Sequence, residues 1–264
     1  MYPILFKSNN FIIYSFGILT ILGIAVGVIV LFSLAKRLKL SLPAGKLFDY
    51  IVYVLLSGIV GARVFYIIFH WKDFANKPWQ IIFSSWTGGL SFYGGLIGGL
   101  LTTLFVLRKN KDKLSWLDIG FISTMFGLVL GMLGCFMAGS YYGKPTHLPW
   151  AVTYTREGSL ATYVLNQPTH PTQIYEALVA LFIGSLFLFL ILKKKIQPGL
   201  SFFGGMMIYA FWRIINDYFF LGHPLKIGPV MVDSVISLLF IITCLIFLVY
   251  LGPGKKLFKR RGNG

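Results

Sequence analysis

Acidic side chains are scarce in this 264-residue chain: eight Asp and Glu stand against 24 Lys and Arg, and charged residues of both signs make up only 12%. A soluble globular domain carries about a quarter charged residues, so the shortage excludes that class. Cysteine is equally scarce. Cys135 and Cys244 both sit inside apolar stretches, which excludes a disulfide framework and leaves Cys135 to read as a small buried hydrophobe. The four histidines fall at spacings that give no usual ligand set with them, so no metal and no redox cofactor is expected. Linkers and composition breaks are missing too, and residues 1–264 read as a single domain. Neither an inverted repeat nor a ring of repeated charge is found, which argues against a transporter and a channel.

What fills the chain instead is apolar sequence, 56% of the residues. Several runs reach the roughly 20 residues that cross a bilayer, and only helices satisfy their backbone there when the runs are this long. The expected fold is therefore all-α and polytopic. Its apolar runs are Phe11 to Leu34, Phe48 to Phe69, about Gly88 to Leu107, Trp116 to Ala138, Gln173 to the Lys193–Lys195 cluster, Leu200 to Phe220, and Val230 to Leu251. The first is too long for a signal peptide, and its basic residues follow rather than precede it.

The +16 net charge does not point to nucleic acid, because the cations occupy short loops between apolar runs. Basic clusters follow the first, third, fifth and seventh runs: Lys36 to Lys39, Arg108 to Lys113, Lys193 to Lys195, and Lys255 to Arg261. The opposite side holds the dispersed Lys7, Lys72, Lys77, Lys144, Arg156 and Lys226. The positive-inside rule then gives seven transmembrane helices, N-terminus outside and C-terminus cytoplasmic. The long polar stretch at about 140–171 falls outside, and its aromatics and prolines favour an ordered cap.

Three places hold groups that do not belong in lipid. Arg63 lies inside the second run, and Arg213 and Asp217 inside the sixth, so all three must face the bundle interior. Arg213 and Asp217 are four apart and can pair, either as a structural ion pair or as part of a site, and Tyr209 extends the same stripe. Arg63 suits either an anionic phosphate or a carboxylate such as Glu176. His170 and Glu176 flank the start of the fifth run. They are candidate general bases, or Thr172 and Glu176 simply cap a helix.

Glycine supplies the third signal. Gly94 and Gly98, like Gly95 and Gly99, are four apart, and this spacing lets two backbones approach closely. Ser91 and Tyr93 place hydroxyls at the mouth of that seam. Gly127 and Gly131 are expected to face these glycines, so that the third and fourth helices cross closely and frame a pocket with their outer ends.

Five segments in this order resemble bacterial prolipoprotein diacylglyceryl transferase: Gly61 to Tyr66, Trp86 to Gly99, Gly127 to Gly143, His170 to Glu176, and Tyr209 to Asp217. The resemblance implies a multi-pass protein of the bacterial plasma (inner) membrane. It implies transfer of the diacylglyceryl group of phosphatidylglycerol to the lipobox cysteine of a prelipoprotein signal peptide, forming a thioether and releasing glycerol phosphate. The partners are then that lipid, that peptide and the surrounding membrane lipids, with no cofactor. By the same resemblance Tyr93, Arg213, Glu176 and His170 fall at catalytic positions. Arg63, Tyr66, Gly94, Gly95, Gly143, Lys144, Tyr209 and Asp217 fall at substrate-binding ones.

Arg63, Gly143, His170, Glu176, Tyr209 and Arg213 match the family pattern, and Asp217 stands for a glutamate. The chain departs from it at Phe16, where tyrosine is usual, at Tyr93 (histidine), Met132 (arginine), Cys135 (asparagine) and Ser140 (glutamate). Lys144, in the place of a family basic residue, is the candidate to compensate. These departures keep open a paralogue that acts on another acceptor, or that only binds or moves phospholipid.

Overall fold

The computed structural model describes residues 2–8, 11–40, 42, 44–71, 91–155, 159–221, 226–227 and 230–251. Seven helices organise them: α1 (Ser15–Arg37), α2 (Ala44–Phe69), α3 (Phe92–Val106), α4 (Lys113–Ala138), α5 (Thr172–Leu192), α6 (Leu200–Phe219) and α7 (Val232–Leu251). Three short antiparallel ribbons join them: β1 (Ile4–Ser8) with β2 (Phe11–Tyr14), β3 (Val152–Thr153) with β4 (Pro168–Thr169), and β5 (Lys226–Ile227) with β6 (Val230–Met231). Gly88 to Leu90, the Lys72–Trp79 loop, Arg156, and the tail from Lys255 to Arg261 lie outside the described residues.

Five helices, α1, α2, α4, α5 and α7, are long and apolar enough to cross a membrane, and the chain is a multi-pass membrane protein. The other two differ for separate reasons. α3 has 15 described residues, about 22 Å of rise against a hydrocarbon core of about 30 Å. α6 has the length, but its C-terminal half is occupied by Tyr209, Trp212, Arg213, Asn216 and Asp217.

The expected helix starts shift for local reasons. The first apolar run opens with a strand, because Phe11 to Tyr14 pairs with Ile4 to Ser8, and the helix begins only at Ser15, whose backbone N–H donates to Pro3 at 3.0 Å. α3 begins at Phe92 because the Ser91 hydroxyl accepts from the Gly94 N–H at 3.3 Å. Thr172 is not the cap of α5. That position is Pro171, and Thr172 Oγ1 donates instead to the Tyr141 carbonyl at 2.5 Å.

Glycine seams pair the helices, though not as the spacing suggested. A Cβ on Gly94 would strike the Gly61 carbonyl and come within 2.9 Å of Phe65 Cγ, and one on Gly61 would come within 3.2 Å of Gly98 Cα. The α3 stripe therefore packs on α2. Gly127 instead meets α1, where a Cβ would lie 2.9 Å from the Gly23 carbonyl, and Gly131 faces nothing within 4 Å. The expected close crossing of α3 and α4 is thus replaced by two pairs, α2 with α3 and α1 with α4. α1 supplies small residues of its own, Gly23 and Gly27, to receive α4.

α4 also fixes the helix that carries the site. Asp118, fully buried on α4, accepts from the Gly199 N–H at 2.6 Å and the Phe202 N–H at 2.8 Å. A carboxylate from one helix thereby caps the N-terminus of another, where the dipole favours negative charge. At the far end α4 stops on Gly139, whose φ of +72° is the left-handed terminus that glycine adopts without a Cβ penalty. The chain then enters the 140–171 region, where Tyr142, Tyr154, Ala161 and Val164 form a small core of their own. Gln173 Nε2 ties that core to α5 by donating to the Ser140 carbonyl at 2.5 Å and to the Tyr154 hydroxyl at 2.9 Å. Burial pushes the Tyr154 phenol up to about 12, so the hydroxyl stays protonated.

Candidate functional site

Arg213 is the centre of a polar cluster built from four helices and the start of the cap. It projects from α6 and is 2% exposed, a burial that a charge sustains only when it is paired. Its Nη1 donates to the Tyr141 hydroxyl at 2.5 Å and lies 3.7 Å from Glu176 Oε1. Its Nη2 lies 3.7 Å from Asp217 Oδ1 and donates to Asp233 Oδ2 at 3.2 Å. The rings of Phe92, Tyr93 and Tyr141 surround the guanidinium carbon at 5.8, 5.9 and 5.2 Å. Three carboxylates thus face one cation among π-faces, which also attract positive charge.

The carboxylates are held unequally. Glu176 accepts from the Tyr209 hydroxyl at 2.5 Å, from Trp212 Nε1 at 2.9 Å and from Asn216 Nδ2 at 2.8 Å. The three donors lie at Tyr209, Trp212 and Asn216, so one face of α6 presents them all to α5. Asp217 Oδ2 accepts from the Ser234 hydroxyl at 2.9 Å. Asp233, in the first turn of α7, makes its side-chain contact with Arg213, and its side chain is 47% exposed.

Tyr93 reaches the cluster from α3. Its hydroxyl bonds that of Ser237, and Ser237 Oγ donates to the Asp233 carbonyl at 2.8 Å. The ring stacks on Phe240, with centroids 6.0 Å apart. Tyr93, Glu176, Tyr209, Arg213 and Asp217, all picked out in the sequence, therefore converge. Tyr141, Trp212, Asn216, Asp233, Ser234 and Ser237 complete the cluster without having been singled out. Their signal was weak: Asp233, Ser234 and Ser237 look like the polar start of a helix, and Tyr141 like a cap aromatic.

His170 and Lys144 form a second group, beside the C-terminus of α6. Lys144 Nζ donates to the Tyr218 carbonyl at 2.5 Å and lies 4.6 Å above the Tyr218 ring. A cation at the carbonyl end of a helix is favourable. Gly143 allows the cap to touch α5, since a Cβ there would sit 2.6 Å from His170 Cβ and 2.9 Å from Thr172 Cγ2. His170 Nδ1 is 3.2 Å from the Tyr175 hydroxyl, which also accepts from Trp150 Nε1 at 2.7 Å, and its ring lies 4.9 Å from that of Phe219. Desolvation, and then the nearby Lys144 charge, lower its pKa from the usual 6.5, so the ring is neutral at pH 7 and open to a proton.

Arg63 and Tyr66 stay on α2, the guanidinium carbon 5.7 Å from the Tyr66 ring and both half-buried. Glu176, offered above as a partner of Arg63, is held by Arg213 and the α6 donors. Gly94 and Gly95 have their open faces against α2. Among the departures, Met132 is buried and Cys135 half-buried on α4. Phe16 packs on Gly134 from α1, and Ser140 Oγ donates to the Cys135 carbonyl at 3.4 Å. Among the described residues no group of His, Cys, Asp or Glu is arranged to hold a metal.

Comparison with known proteins bears on what this arrangement serves. A family model described as prolipoprotein diacylglyceryl transferase matches residues 3–250. Relatives named phosphatidylglycerol–prolipoprotein diacylglyceryl transferase include one from Clostridium tetani, 33% identical over 85% of this chain and 87% of its own. Another, from Halalkalibacterium halodurans, is 30% identical over 92% and 84%. A third, from Gloeobacter violaceus, is 29% identical over 89% and 87%. The match runs through both polar groups, from the N-terminal ribbon to the last helix, and the chain belongs to the prolipoprotein diacylglyceryl transferase family.

Proposed function

We propose that this chain transfers the diacylglyceryl group of phosphatidylglycerol to the lipobox cysteine of a prelipoprotein. In this reading it crosses the bacterial plasma (inner) membrane seven times, with its N-terminus outside, its C-terminus in the cytoplasm and an extracytoplasmic cap at about 140–171 on a single domain. The observation that carries it is Arg213, a guanidinium buried in the C-terminal half of α6, the half that ends beside the cap. An ion there is costly in lipid and marks a site by default.

The chemistry is a displacement at carbon. The cysteine sulfur attacks the glyceryl carbon, the C–O bond to phosphorus breaks, and its electron pair leaves on the oxygen of glycerol phosphate. Negative charge moves from sulfur to phosphate, so cations aimed at the phosphate stabilise the transition state more than the ground state. Arg213 fills that role, with Arg63 binding the same headgroup from α2. The thiol proton needs an acceptor, and a neutral His170 suits it better than Glu176. Glu176 already accepts from three donors and holds Arg213 in place.

Tyr209 and Asp217 orient the same guanidinium, and Tyr66 flanks Arg63. Gly94, Gly95 and Gly143 allow the close approaches that set the pocket walls, while Lys144 holds the α6 end and supplies a cation at the cap. Tyr93 borders the guanidinium and positions it.

Expression in a bacterium depleted of its own transferase, with lipoprotein mass as the readout, tests this. Mass gain by one diacylglyceryl group supports it. Unmodified prolipoprotein, with the chain folded in the membrane, supports the second reading: another acceptor, or phospholipid binding alone. The departures at Tyr93, Met132, Cys135 and Ser140 are what favour that second reading.

A further inference from the structure

The Arg213 cluster holds more negative charge than an anion-binding site should. Glu176, Asp217 and Asp233 all lie within 3.7 Å of the guanidinium. A phosphodiester brings another negative charge, and like charges at contact distance are costly. For the lipid phosphate to reach Arg213, one carboxylate has to give up its place.

The three are not equally able to do so. Glu176 is fully buried and fixed by Tyr209, Trp212 and Asn216. Asp217 is 2% exposed and fixed by Ser234. Asp233 alone of the three has no further side-chain partner among the described residues, and nearly half of its side chain is exposed. Its outward rotation frees one buried donor, Arg213 Nη2, which an entering phosphate oxygen would take over. Its backbone carbonyl, which anchors Ser237 and through it Tyr93, need not move when the side chain does.

Resting on the reading that phosphatidylglycerol is the lipid donor, we propose that Asp233 is the resident anion of the phosphate seat. Its carboxylate holds Arg213 Nη2 while the site is empty and is displaced by the phosphodiester when the lipid binds. Asp233 then sets the affinity of the seat for lipid phosphate. It keeps the guanidinium extended and paired, and it makes every entering lipid phosphate compete with a carboxylate already in place. The competition penalises a lipid with net negative charge more than a zwitterionic one, whose own cation offsets the displaced carboxylate.

The test compares wild type with Asp233→Asn, which keeps the shape and removes the charge, Asp233→Glu, which keeps the charge, and Asp233→Ser as a second neutral variant should the amide perturb folding. Direct binding of phosphatidylglycerol and of phosphatidylethanolamine to the purified full chain in neutral detergent is measured at low salt, alongside KM and kcat with a lipobox peptide. The expected result is phosphatidylglycerol binding about two- to fivefold tighter in the neutral variants, the range for a half-exposed ion pair. A smaller gain is expected for phosphatidylethanolamine, with Asp233→Glu near wild type. KM falls with binding while kcat does not rise. Binding that is unchanged or weaker in both neutral variants, or gains equal for the two lipids, overturns the proposal. Failure of the transferase reading is separate: wild type would give no lipidated peptide, while the binding comparison would still decide the place of Asp233.

Discussion

The Tyr93 hydroxyl on α3 meets that of Ser237 on α7, and Ser237 has given its own proton to the Asp233 carbonyl. Tyr93 is therefore the donor in this chain of hydroxyls. A phenol whose proton is committed to a neighbour is a fastener between helices rather than a base. Replacing it with phenylalanine should cost about 0.5–1.5 kcal/mol of stability, the usual net value of one hydrogen bond. The variant should keep most of its turnover. Thermal unfolding in detergent beside transfer kinetics checks both halves, and a hundredfold loss of kcat with an unchanged melting curve would assign Tyr93 to the chemistry.

Arg213 contributes to folding and to catalysis in separable ways. Arg213→Ala leaves three carboxylates without their cation, and breaking a buried pair typically costs about 3–5 kcal/mol. Adding Glu176→Gln should recover part of that stability, because the amide oxygen can still accept from Trp212 and Asn216, the Tyr209 hydroxyl can turn to accept from the amide NH2, and one charge is gone. It should recover no activity, since a lost transition-state donor costs about 2.7–4 kcal/mol, or 10²–10³ in rate. Melting temperature and rate measured on the single and double variants would then part company.

The glycine seams make a paired prediction. Gly94→Ala drives a methyl into the Gly61 carbonyl and the Phe65 side chain, and overpacking of this kind costs about 1–3 kcal/mol. Gly131→Ala meets nothing within 4 Å and should be neutral or slightly stabilising, as alanine favours a helix over glycine. Unfolding of the two variants side by side, in one detergent, reads the difference.

His170 should make the cap acid-sensitive. Its folded pKa lies below the ordinary 6.5 because of desolvation and the Lys144 charge. The unfolded chain then takes up the proton first, so stability is complete above about pH 6.5 and falls as pH drops below it. His170→Gln should flatten that limb. Trp150, linked to His170 through the Tyr175 hydroxyl, gives the cap a fluorescence reporter against which to follow the loss.

Much of this was legible in the residues. Charges inside apolar runs can only turn inward, so Arg213, Asp217 and Tyr209 announced a polar face, and the i, i+4 spacing announced their pairing. Which helix would receive that face was not legible, because it depends on long-range packing. The α3 glycines could have met any small-residue helix, and α2 and α4 offered equivalent stripes. Asp118 escaped notice because its partners, the backbone N–H groups of Gly199 and Phe202, have no side-chain signature. The N-terminal ribbon was hidden by the apolarity of Phe11 to Tyr14, which a strand and a membrane helix share.

Asp118 and Lys144 together have a mechanical consequence. One lies near the beginning of α4 and caps the amide end of α6; the other lies just beyond the end of α4 and caps the carbonyl end of α6. The backbone joins in at the second end, where Lys144 N–H donates to Phe219 and Leu221 N–H to Tyr142. α6 is thus held like an axle between two bearings mounted on the same frame and cannot slide along its length without breaking both. The depth of Arg213 is referenced to α4, not to the lipid around it. When the bilayer thins or thickens, the guanidinium keeps its height relative to the cap.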